Sequence, residues 1–333
     1  MKILVTGAAG FVGSHVLKKL KELEPDVFGI DNFSSYYSVE YKNLRLEYLS
    51  LTRGSDVITC DISDYERVSE MISGIKPDYI IHLAAQAGVR LSLKDSTSYV
   101  SANVAGFQNI VRSSVENGVK GIIYASSSSV YGDSTPTPYK EASISLRPKS
   151  LYGVTKLSNE LFAEIQSKSN NLRFRGLRYF TVYGPWGRPD MAYFRMIANV
   201  VSGAEFNFFG DGSVERDFTF IDDAVNSVMA LTTELQKRKP GYSDVVNLGG
   251  GRPLSMNYLL QTVSSISKNE VKFNRLNSNS NDAKKTMSDS KYIESLIGSK
   301  PNTKLEDGIA KTIEWAMRED ISSNLNNWVK SVQ

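Results

Sequence analysis

The stretch Thr6-Gly-Ala-Ala-Gly-Phe-Val-Gly13 constrains the fold of this 333-residue chain more than any other. It follows an apolar strand pattern at residues 3–5 and opens a helix pattern. Glycines 7, 10 and 13 permit a tight turn, a close backbone approach to a pyrophosphate and close packing of helix on sheet, and the helix N-terminus favours negative charge. Turns use glycine freely, so the spacing predicts a dinucleotide site only together with its strand-turn-helix context.

Short β-branched runs alternate with amphipathic stretches of helix length along the first 180 residues. This alternation predicts repeated βαβ units and therefore an α/β fold with a doubly wound parallel sheet, the Rossmann arrangement. The strand runs are residues 3–5, 27–30, 57–60, 79–83, 121–125, 173–180 and 245–248, and the helical stretches include 13–23, 65–72, 103–117 and 151–167.

After Tyr183 the alternation of strand and helix patterns gives way to the Gly- and Pro-containing stretch Gly184-Pro-Trp-Gly-Arg-Pro-Asp190 and then to mixed short elements. We interpret this as the crossing into a smaller, mixed α/β C-terminal substrate domain. The expected division gives residues 1–180 to the cofactor domain, which also receives 217–249. Residues 181–216 and 250–333 form the second domain.

Composition excludes several classes of protein. No run of about 20 apolar residues is present, and a strand pattern begins at Met1, so we expect neither a membrane span nor a signal peptide but a cytoplasmic protein. Cys60 is the only cysteine and the two histidines lie far apart, which leaves no disulfide and no zinc pattern. The net charge is +3, and basic and acidic residues are interspersed along the chain, which argues against the clustered basic face that nucleic-acid binding needs.

Asp31 lies at the end of the second strand pattern, about 20 residues after the glycine turn. A carboxylate there can accept hydrogen bonds from an adenosine ribose and would repel a 2'-phosphate. The order strand, glycine turn, helix, strand, Asp therefore predicts NAD rather than NADP.

Tyr152 and Lys156 are spaced i, i+4 in a helix that Ser150 can cap, so they share one helical face. A nearby ammonium and a positive nicotinamide ring would both favour the phenolate of a tyrosine whose free pKa is about 10. Such a tyrosine can take a proton from a hydroxyl while hydride leaves the same carbon for NAD.

Together these motifs resemble the extended short-chain dehydrogenase/reductases over nearly the whole chain. The resemblance implies that Ser127 hydrogen-bonds the reacting oxygen beside Tyr152 and Lys156, and that Asn103 is a structural support. It rests on Thr6-Gly-x-x-Gly-Phe-x-Gly13, His82-Leu-Ala-Ala85, Asn103, Ser126-Ser-Ser-Ser-Val-Tyr-Gly132, Tyr152-x-x-x-Lys156 and Arg216-Asp-Phe. The expected cofactor-binding residues are Gly7, Gly10, Phe11, Val12, Gly13, Asp31, Asn32, Asp61, Ile62, Leu83, Ala84, Ala85, Gln86, Ala125, Tyr152, Lys156 and Tyr179.

Within that family the chain is most similar to nucleotide-sugar 4-epimerases, and more narrowly to UDP-glucuronate 4-epimerases. Thr181 stands where UDP-glucose 4-epimerases have Asn, and Arg188 could bind a C6 carboxylate. The acid that related dehydratases and decarboxylases carry before Val130 is absent, which favours simple oxidation and re-reduction. The expected substrate residues are Arg90, Ser127, Ser128, Ser129, Thr181, Arg188, Phe206, Phe208, Arg216 and Asp282.

Some alternatives stay open on the sequence alone. A UDP-glucose or UDP-N-acetylglucosamine 4-epimerase would use the same machinery. A cofactor-sensing regulator on the same fold would be expected to lack Tyr152 or Lys156, and both are present. The resemblance also implies a homodimer joined through the helices that begin near Asn103 and Leu151.

Overall fold

We describe the protein from a computed structural model, in which residues 1–89, 91–93, 95–277 and 283–332 are described. The regular secondary structure consists mainly of β-strands and α-helices. The strands are β1 Ile3–Thr6, β2 Val27–Asp31, β3 Val57–Thr59, β4 Tyr79–His82, β5 Gly121–Ser127, β6 Arg173–Tyr179, β7 Thr181–Tyr183, β8 Asn207–Phe209, β9 Glu215–Phe220, β10 Ser243–Leu248, β11 Pro253–Ser255 and β12 Asn274–Leu276. The α-helices are α1 Phe11–Lys21, α2 Val39–Tyr48, α3 Tyr65–Ile75, α4 Ser96–Val100, α5 Gly106–Glu116, α6 Leu151–Asn170, α7 Ala192–Ser202, α8 Ile221–Gln236, α9 Met256–Ser267, α10 Lys291–Ile297, α11 Leu305–Ala316, α12 Glu319–Ser322 and α13 Leu325–Lys330.

Among the described residues, seven parallel strands form the large sheet in the order β10-β6-β5-β4-β1-β2-β3. Its central strands are apolar and buried on both faces, as parallel strands covered by helices require. Alternate residues of β1 belong to different cores: Leu4 packs with the cluster that α3 and α5 cover, while Ile3 and Val5 pack with the cluster that α1 and α8 cover. The predicted doubly wound sheet is confirmed.

Smaller sheets carry the substrate side of the molecule. In the described ranges β7 pairs with β9 and β9 with β11, giving a three-stranded sheet, and β8 pairs with β12. Helices α7, α9, α11 and α13 pack beside them around Phe194, Leu259 and Trp328. The region after Tyr183 is therefore more helical than the mixed short elements expected from sequence.

The chain passes between the large and small sheets more than once. It leaves the large sheet after β6, forms β7 and β9, returns through α8 and β10, and leaves again for β11. The expected boundary at residue 217 falls inside β9, which pairs with β7 and β11 rather than with the large sheet. The division into two domains stays a prediction. The strand pairings place β9 with the three-stranded sheet and not with the large sheet to which the prediction assigned most of it.

Helix α2 was not predicted from the sequence. Ser38 caps it by accepting a hydrogen bond from the N–H of Tyr41 at 3.1 Å. Its buried side chains include Tyr41, Lys42 and Arg45, so the apolar periodicity that marks an amphipathic helix is hidden. Among the described residues, no helix combines the length and apolarity needed to cross a membrane.

Candidate active site

A cleft with a cavity volume of about 300 Å³ opens at the carboxyl ends of β1, β2, β4 and β5. The strand order reverses between β1 and β4, and doubly wound sheets bind ligands at such a point. The predicted residues that line the cleft are Gly7, Gly10, Phe11, Val12, Gly13, Asp31, Asn32, Ile62, Leu83, Ala84, Ala85, Gln86, Ala125, Ser127, Tyr152, Lys156, Tyr179 and Arg188. The structure therefore brings most of the predicted cofactor residues and the predicted reactive residues into one cavity.

The glycine turn leaves no room for side chains at two of its positions. Gly7 has a φ of +70°, and a Cβ built on it would lie 2.6 Å from the backbone nitrogen of Ala84. A Cβ on Gly13 would lie 2.0 Å from the carbonyl oxygen of Gly7. The first turn of α1 can therefore approach the strand end closely and present free N–H groups to an anion in the cleft.

Asp31 connects the second strand to the glycine turn. Its carboxylate accepts hydrogen bonds from the N–H of Ala9 at 3.0 Å and from the N–H of Phe33 at 2.7 Å. A carboxylate has about four acceptor sites. Asp31 can thus fix the turn and still offer acceptors to a ribose, because it also lines the cleft.

Asp61 does not line the cleft but supports a residue that does. The Asn32 side chain donates to its carboxylate at 2.9 Å, and the N–H and hydroxyl of Ser63 donate at 2.8 and 2.7 Å. Burial alone would raise the pKa of Asp61, but these hydrogen bonds outweigh it and lower the pKa. A stable charge on Asp61 therefore orients Asn32 at the adenine end of the predicted cofactor site.

The carboxyl end of β4 is fixed to β1 by a buried pair. The Thr6 hydroxyl lies 2.8 Å from Nδ1 of His82 and accepts the N–H of Ala84 at 3.1 Å. Burial, helped by the charge of Lys156, lowers the pKa of His82 to about 3. His82 is thus a neutral structural residue.

Asn103 holds the next part of this edge. It lies in a π-helical turn, Ser101–Ala105, and its amide pairs with both the N–H and the C=O of Gln86, at 2.8 and 3.0 Å. It also donates to the hydroxyl of Thr155 at 3.1 Å. The side chain therefore connects a cleft-lining loop to helix α6.

Tyr152 and Lys156 lie in the first two turns of α6, and both line the cleft. Ser150 caps this helix by accepting the N–H of Gly153 at 3.1 Å, as predicted. The ammonium of Lys156 lies 5.9 Å from the centre of the Tyr152 ring. Within the described part of the chain Lys156 forms no ion pair.

Burial is the main cause of the pKa shifts of Lys156 and Tyr152. Burial lowers the pKa of Lys156 to about 8. Burial also raises the pKa of Tyr152, while the charge of Arg188 and a hydrogen bond with Ser127 act in the opposite direction. A phenolate on Tyr152 therefore needs further positive charge nearby to form at neutral pH.

A buried ion pair that the sequence analysis did not assign connects the reactive helix to the serine segment. Glu160, one turn beyond Lys156, accepts a short hydrogen bond from the hydroxyl of Ser126. Both oxygens of Glu160 also accept from Arg178 on β6, at 2.9 and 2.7 Å. Because Ser126 precedes Ser127, this contact fixes Ser127 relative to Tyr152.

Arg188 faces the cleft but already has a carboxylate partner. Its Nε and Nη2 donate to Asp190 at 3.0 and 2.5 Å, and the hydroxyl of Tyr36 donates to the same carboxylate at 3.0 Å. The Arg188 side chain is 23% exposed. Among the described residues Nη1 has no hydrogen-bond partner, so this nitrogen is the one available to a ligand.

Three predicted substrate residues lie next to the cleft without forming its wall. Ser128 and Ser129 are in a 3-10 turn after β5, where the hydroxyl of Ser127 donates to that of Ser129 at 3.2 Å. Thr181 begins β7, between the cleft-lining residues Phe180 and Val182.

Other predicted substrate residues lie outside the cleft. Phe206 and Phe208 are buried against each other at 6.0 Å between ring centres, and Phe208 also packs on Phe273 at 5.1 Å. The guanidinium of Arg216 on β9 donates to the carbonyl of Ala283 at 2.7 Å. A uracil or diphosphate role for these residues stays a prediction. Arg90 and Asp282 lie outside the described residues.

The segment around α2 supplies cleft residues that sequence reasoning missed. Tyr36, Tyr37 and Lys42 line the cavity, and Lys42 donates to the carbonyl of Ser34 at 2.6 Å. The available signal was the i, i+4 spacing of Tyr41 and Arg45, which places an aromatic and a basic side chain on one helical face.

Comparison with known proteins gives a consistent set of relatives. The chain matches the NAD dependent epimerase/dehydratase family over residues 3–249. UDP-glucuronate 4-epimerase 4 of Arabidopsis thaliana is 38% identical over 327 residues, which cover 94% of this chain and 74% of that protein. The crystal structure of the UDP-glucuronic acid 4-epimerase from Bacillus cereus, in complex with UDP-glucuronic acid and NAD, is similar with a TM-score of 0.85 and 34% identity, covering 95% of this chain and 98% of that one. The crystal structure of a UDP-glucose 4-epimerase from Thermotoga maritima, with UDP-glucose, is similar with a TM-score of 0.84 and 30% identity, covering 95% of this chain and 98% of that one.

Proposed function

The chain belongs to the NAD dependent epimerase/dehydratase family, and from this premise we propose that it is an NAD-dependent UDP-glucuronate 4-epimerase. It interconverts UDP-glucuronate and UDP-galacturonate through a transient 4-keto sugar. One observation carries the proposal: Ser127, Tyr152, Lys156 and Arg188 line the same cleft as the glycine turn. The set combines acid-base groups for a secondary alcohol with a cation for a carboxylate.

The residues present fit NAD. The close packing of the glycine turn on the end of β4 lets the first turn of α1 present N–H groups to a diphosphate, and Asp31 offers a carboxylate where a 2'-hydroxyl rather than a 2'-phosphate would lie. Asn32 and Ile62 would contact the adenosine end, and Ala125 and Tyr179 the nicotinamide end. When bound, NAD would supply a reversible hydride acceptor for C4 of the sugar.

Three side chains would handle the proton at the sugar oxygen. Tyr152 takes the proton of the C4 hydroxyl as the carbonyl forms and gives it back as the carbonyl is reduced. Ser127, fixed through Ser126 and Glu160, donates a hydrogen bond to the same oxygen. Lys156, whose pKa burial lowers to about 8, is cationic at neutral pH and stabilises the phenolate.

A uronic acid adds a second requirement. Its 4-keto form is a β-keto acid, which loses CO₂ when the C5–C6 bond aligns with the carbonyl π system. We infer that Arg188, through Nη1, and the hydroxyls of Ser128, Ser129 and Thr181 hold the carboxylate out of that alignment. The proximity of Thr181 and the two serines to the cleft supports this role.

The carboxylate role is tested by product analysis with UDP-glucuronate. Arg188→Ala and Thr181→Ala should each raise the proportion of UDP-pentose product relative to UDP-galacturonate, measured by NMR. Arg67→Ala, at an exposed arginine in the first turn of α3, is the matched control and should leave the ratio unchanged. Steady epimerisation without more pentose in both site variants would refute the role.

The main alternative is a UDP-glucose or UDP-N-acetylglucosamine 4-epimerase. It is tested by incubating the purified protein with UDP-glucuronate, UDP-glucose and UDP-N-acetylglucosamine in turn and identifying the products by NMR. We expect conversion of UDP-glucuronate without net NADH release. Exclusive conversion of a neutral sugar would overturn the uronate assignment, and turnover only with net NADH release would overturn the epimerase.

We also propose that two copies associate through α6 and its neighbours. Val154, Leu161 and Ile165 form an exposed stripe on α6, at 49%, 56% and 62% exposure, and Val100 on α4 is 48% exposed. Contiguous exposed apolar surface of this kind is typical of an interface. Leu161→Glu should convert a dimer to a monomer in light scattering, whereas Leu23→Glu, at an equally exposed leucine after α1, should not. A monomeric wild type would refute the proposal.

A cytoplasmic location stays a proposal. Its support is that Cys60, the single cysteine, is a free and buried thiol, which suits a reducing compartment. Fractionation of cells expressing the untagged chain tests it.

A further inference from the structure

The loop that carries Arg188 has an unusual backbone. Gly184 and Trp186 have φ values of 143° and 61°, so two of the four residues before Arg188 adopt left-handed conformations. For tryptophan this conformation costs about 1 kcal/mol or more and persists only where neighbouring contacts fix it. Those contacts come from α2, which the epimerase chemistry described above does not use.

Two side chains of α2 bind consecutive carbonyls of this loop. The hydroxyl of Tyr41 donates to the carbonyl of Gly187 at 2.7 Å, and Nε of Arg45 donates to the carbonyl of Trp186 at 2.9 Å. Tyr41 and Arg45 are spaced i, i+4 and are fully buried. They therefore fix both peptide groups that immediately precede Arg188.

The same arginine reaches the cofactor side. Nη1 of Arg45 donates to the carbonyl of Ala9 in the glycine turn at 2.7 Å. Asp31 accepts the N–H of that residue, so Ala9 is held from both sides. One guanidinium thus joins the turn that would hold a diphosphate to the loop that holds Arg188.

Arg45 does this without a carboxylate partner in the described part of the chain. The rings of Tyr41 and Tyr37 lie 4.8 and 5.7 Å from its guanidinium carbon, and the hydroxyl of Tyr37 accepts from Nη1 at 3.1 Å. A buried cation that serves packing alone could be replaced by an apolar side chain, because burying a charge is costly. Arg45 donates hydrogen bonds to backbone carbonyls of two separate functional loops, which an apolar side chain could not do.

We propose that Tyr41 and Arg45 are positioning residues that set the place of Arg188, and so of the sugar's C6 end, relative to the cofactor turn. Tyr36, in the segment before α2, completes the arrangement by binding Asp190, the partner of Arg188. The α2 segment is thus a scaffold for substrate selection. The part of this claim that concerns C6 rests on the proposed function.

The test compares Tyr41→Phe and Arg45→Lys with a matched control, Tyr48→Phe. Tyr48 lies on the same helix and packs on the Trp186 ring at 5.2 Å, but its hydroxyl contacts Arg318 rather than the loop. Two measurements are made on each protein. Hydrogen exchange of peptides covering residues 184–191 and 7–13 reports loop order, and kinetics with UDP-glucuronate report kcat, KM and the proportion of UDP-pentose.

We expect both site variants to exchange faster in 184–191, and Arg45→Lys also in 7–13. Each should raise KM for UDP-glucuronate and the pentose proportion by about tenfold, the effect of losing one well-placed hydrogen bond. Tyr48→Phe should match wild type in every measurement. Unchanged exchange in 184–191 for Tyr41→Phe would overturn the proposal, even where Arg45→Lys fails to fold. Faster exchange with unchanged KM and product ratio would overturn the C6 role.

The two proposals fail in distinguishable ways. A wild-type protein that does not convert UDP-glucuronate refutes the proposed function, while the exchange measurement still decides whether α2 positions the loop. A wild type that converts it, with site variants indistinguishable from Tyr48→Phe, refutes the positioning role alone.

Discussion

Replacing Lys156 with methionine is expected to stabilise the nucleotide-free protein while it abolishes turnover. Lys156 is 2% exposed, and in the described part of the chain it forms no ion pair that would compensate for its charge. Methionine keeps most of the aliphatic stem and removes the buried ammonium. Proteins often retain such destabilising groups where function needs them.

The pKa of Lys156 gives the magnitude and the pH dependence. Burial lowers it from 10.5 to about 8, and one pKa unit corresponds to about 1.36 kcal/mol, so the charge costs about 3 kcal/mol. Between pH 8 and 10.5 the unfolded chain binds the proton and the folded chain does not, so wild-type stability rises with pH. The advantage of Lys156→Met should thus be complete below about pH 8 and vanish near pH 10.5.

The assay is urea unfolding, followed by circular dichroism, of nucleotide-stripped wild type and Lys156→Met at pH 7, 9 and 10.5. Differences between the two proteins cancel the other titrating groups. Lys168→Met, at a lysine 71% exposed on the same helix, is the control and should change the free energy of unfolding by no more than about 0.5 kcal/mol at any pH. A constant difference between wild type and Lys156→Met at all three pH values would refute the reasoning, as would a more stable wild type at pH 7.

Three further outcomes follow from the site. Gly13→Ala places a Cβ 2.0 Å from a carbonyl oxygen of the turn, so we expect wild type to copurify with NAD that absorbance can detect and Gly13→Ala to lack it; Gly74→Ala, in open space on α3, should match wild type. Arg178→Met leaves Glu160 buried without its cation and should lower the free energy of unfolding by about 3–5 kcal/mol in urea, much of which Glu160→Gln should restore in the double variant. Ser127→Ala should lower kcat about a hundredfold with unchanged NAD content; a raised KM with unchanged kcat would contradict its role at the reacting oxygen.

The large sheet could be predicted because its strands are short apolar runs separated by amphipathic helices. Every predicted strand is present, with both ends within two residues of those expected. Helix α2 could not be found in this way, because its buried residues are Tyr41, Lys42 and Arg45 with Leu46 as the one aliphatic member. Burial of Tyr41 and Arg45 depends on the carbonyls of residues 9, 186 and 187, which only the folded chain brings near.

The glycine turn and the pair Tyr152 and Lys156 could be predicted because the evidence for them is local: their spacing, with the strand and helix patterns that flank them, places them at a strand end or on one helical face. The surroundings of Arg188 could not be predicted in this way. Its partner Asp190 is two residues away. Tyr36, which donates a hydrogen bond to the Asp190 carboxylate, lies 154 residues from Asp190 in the sequence. Such long-range contacts decide which nitrogen of Arg188 remains for a ligand, and spacing does not encode them.

The return of β10 to the large sheet limits how a chain of this connectivity can acquire a new substrate by recombination. β7 and β9 precede β10 in sequence and β11 follows it, so the three-stranded sheet is assembled from both sides of a strand that belongs elsewhere. A single crossover between β7 and β11 would split this sheet, whereas substitutions in the loop of residues 184–191 leave every strand pairing intact. Substrate range among such chains is therefore expected to diversify by point mutation in that loop rather than by exchange of whole domains.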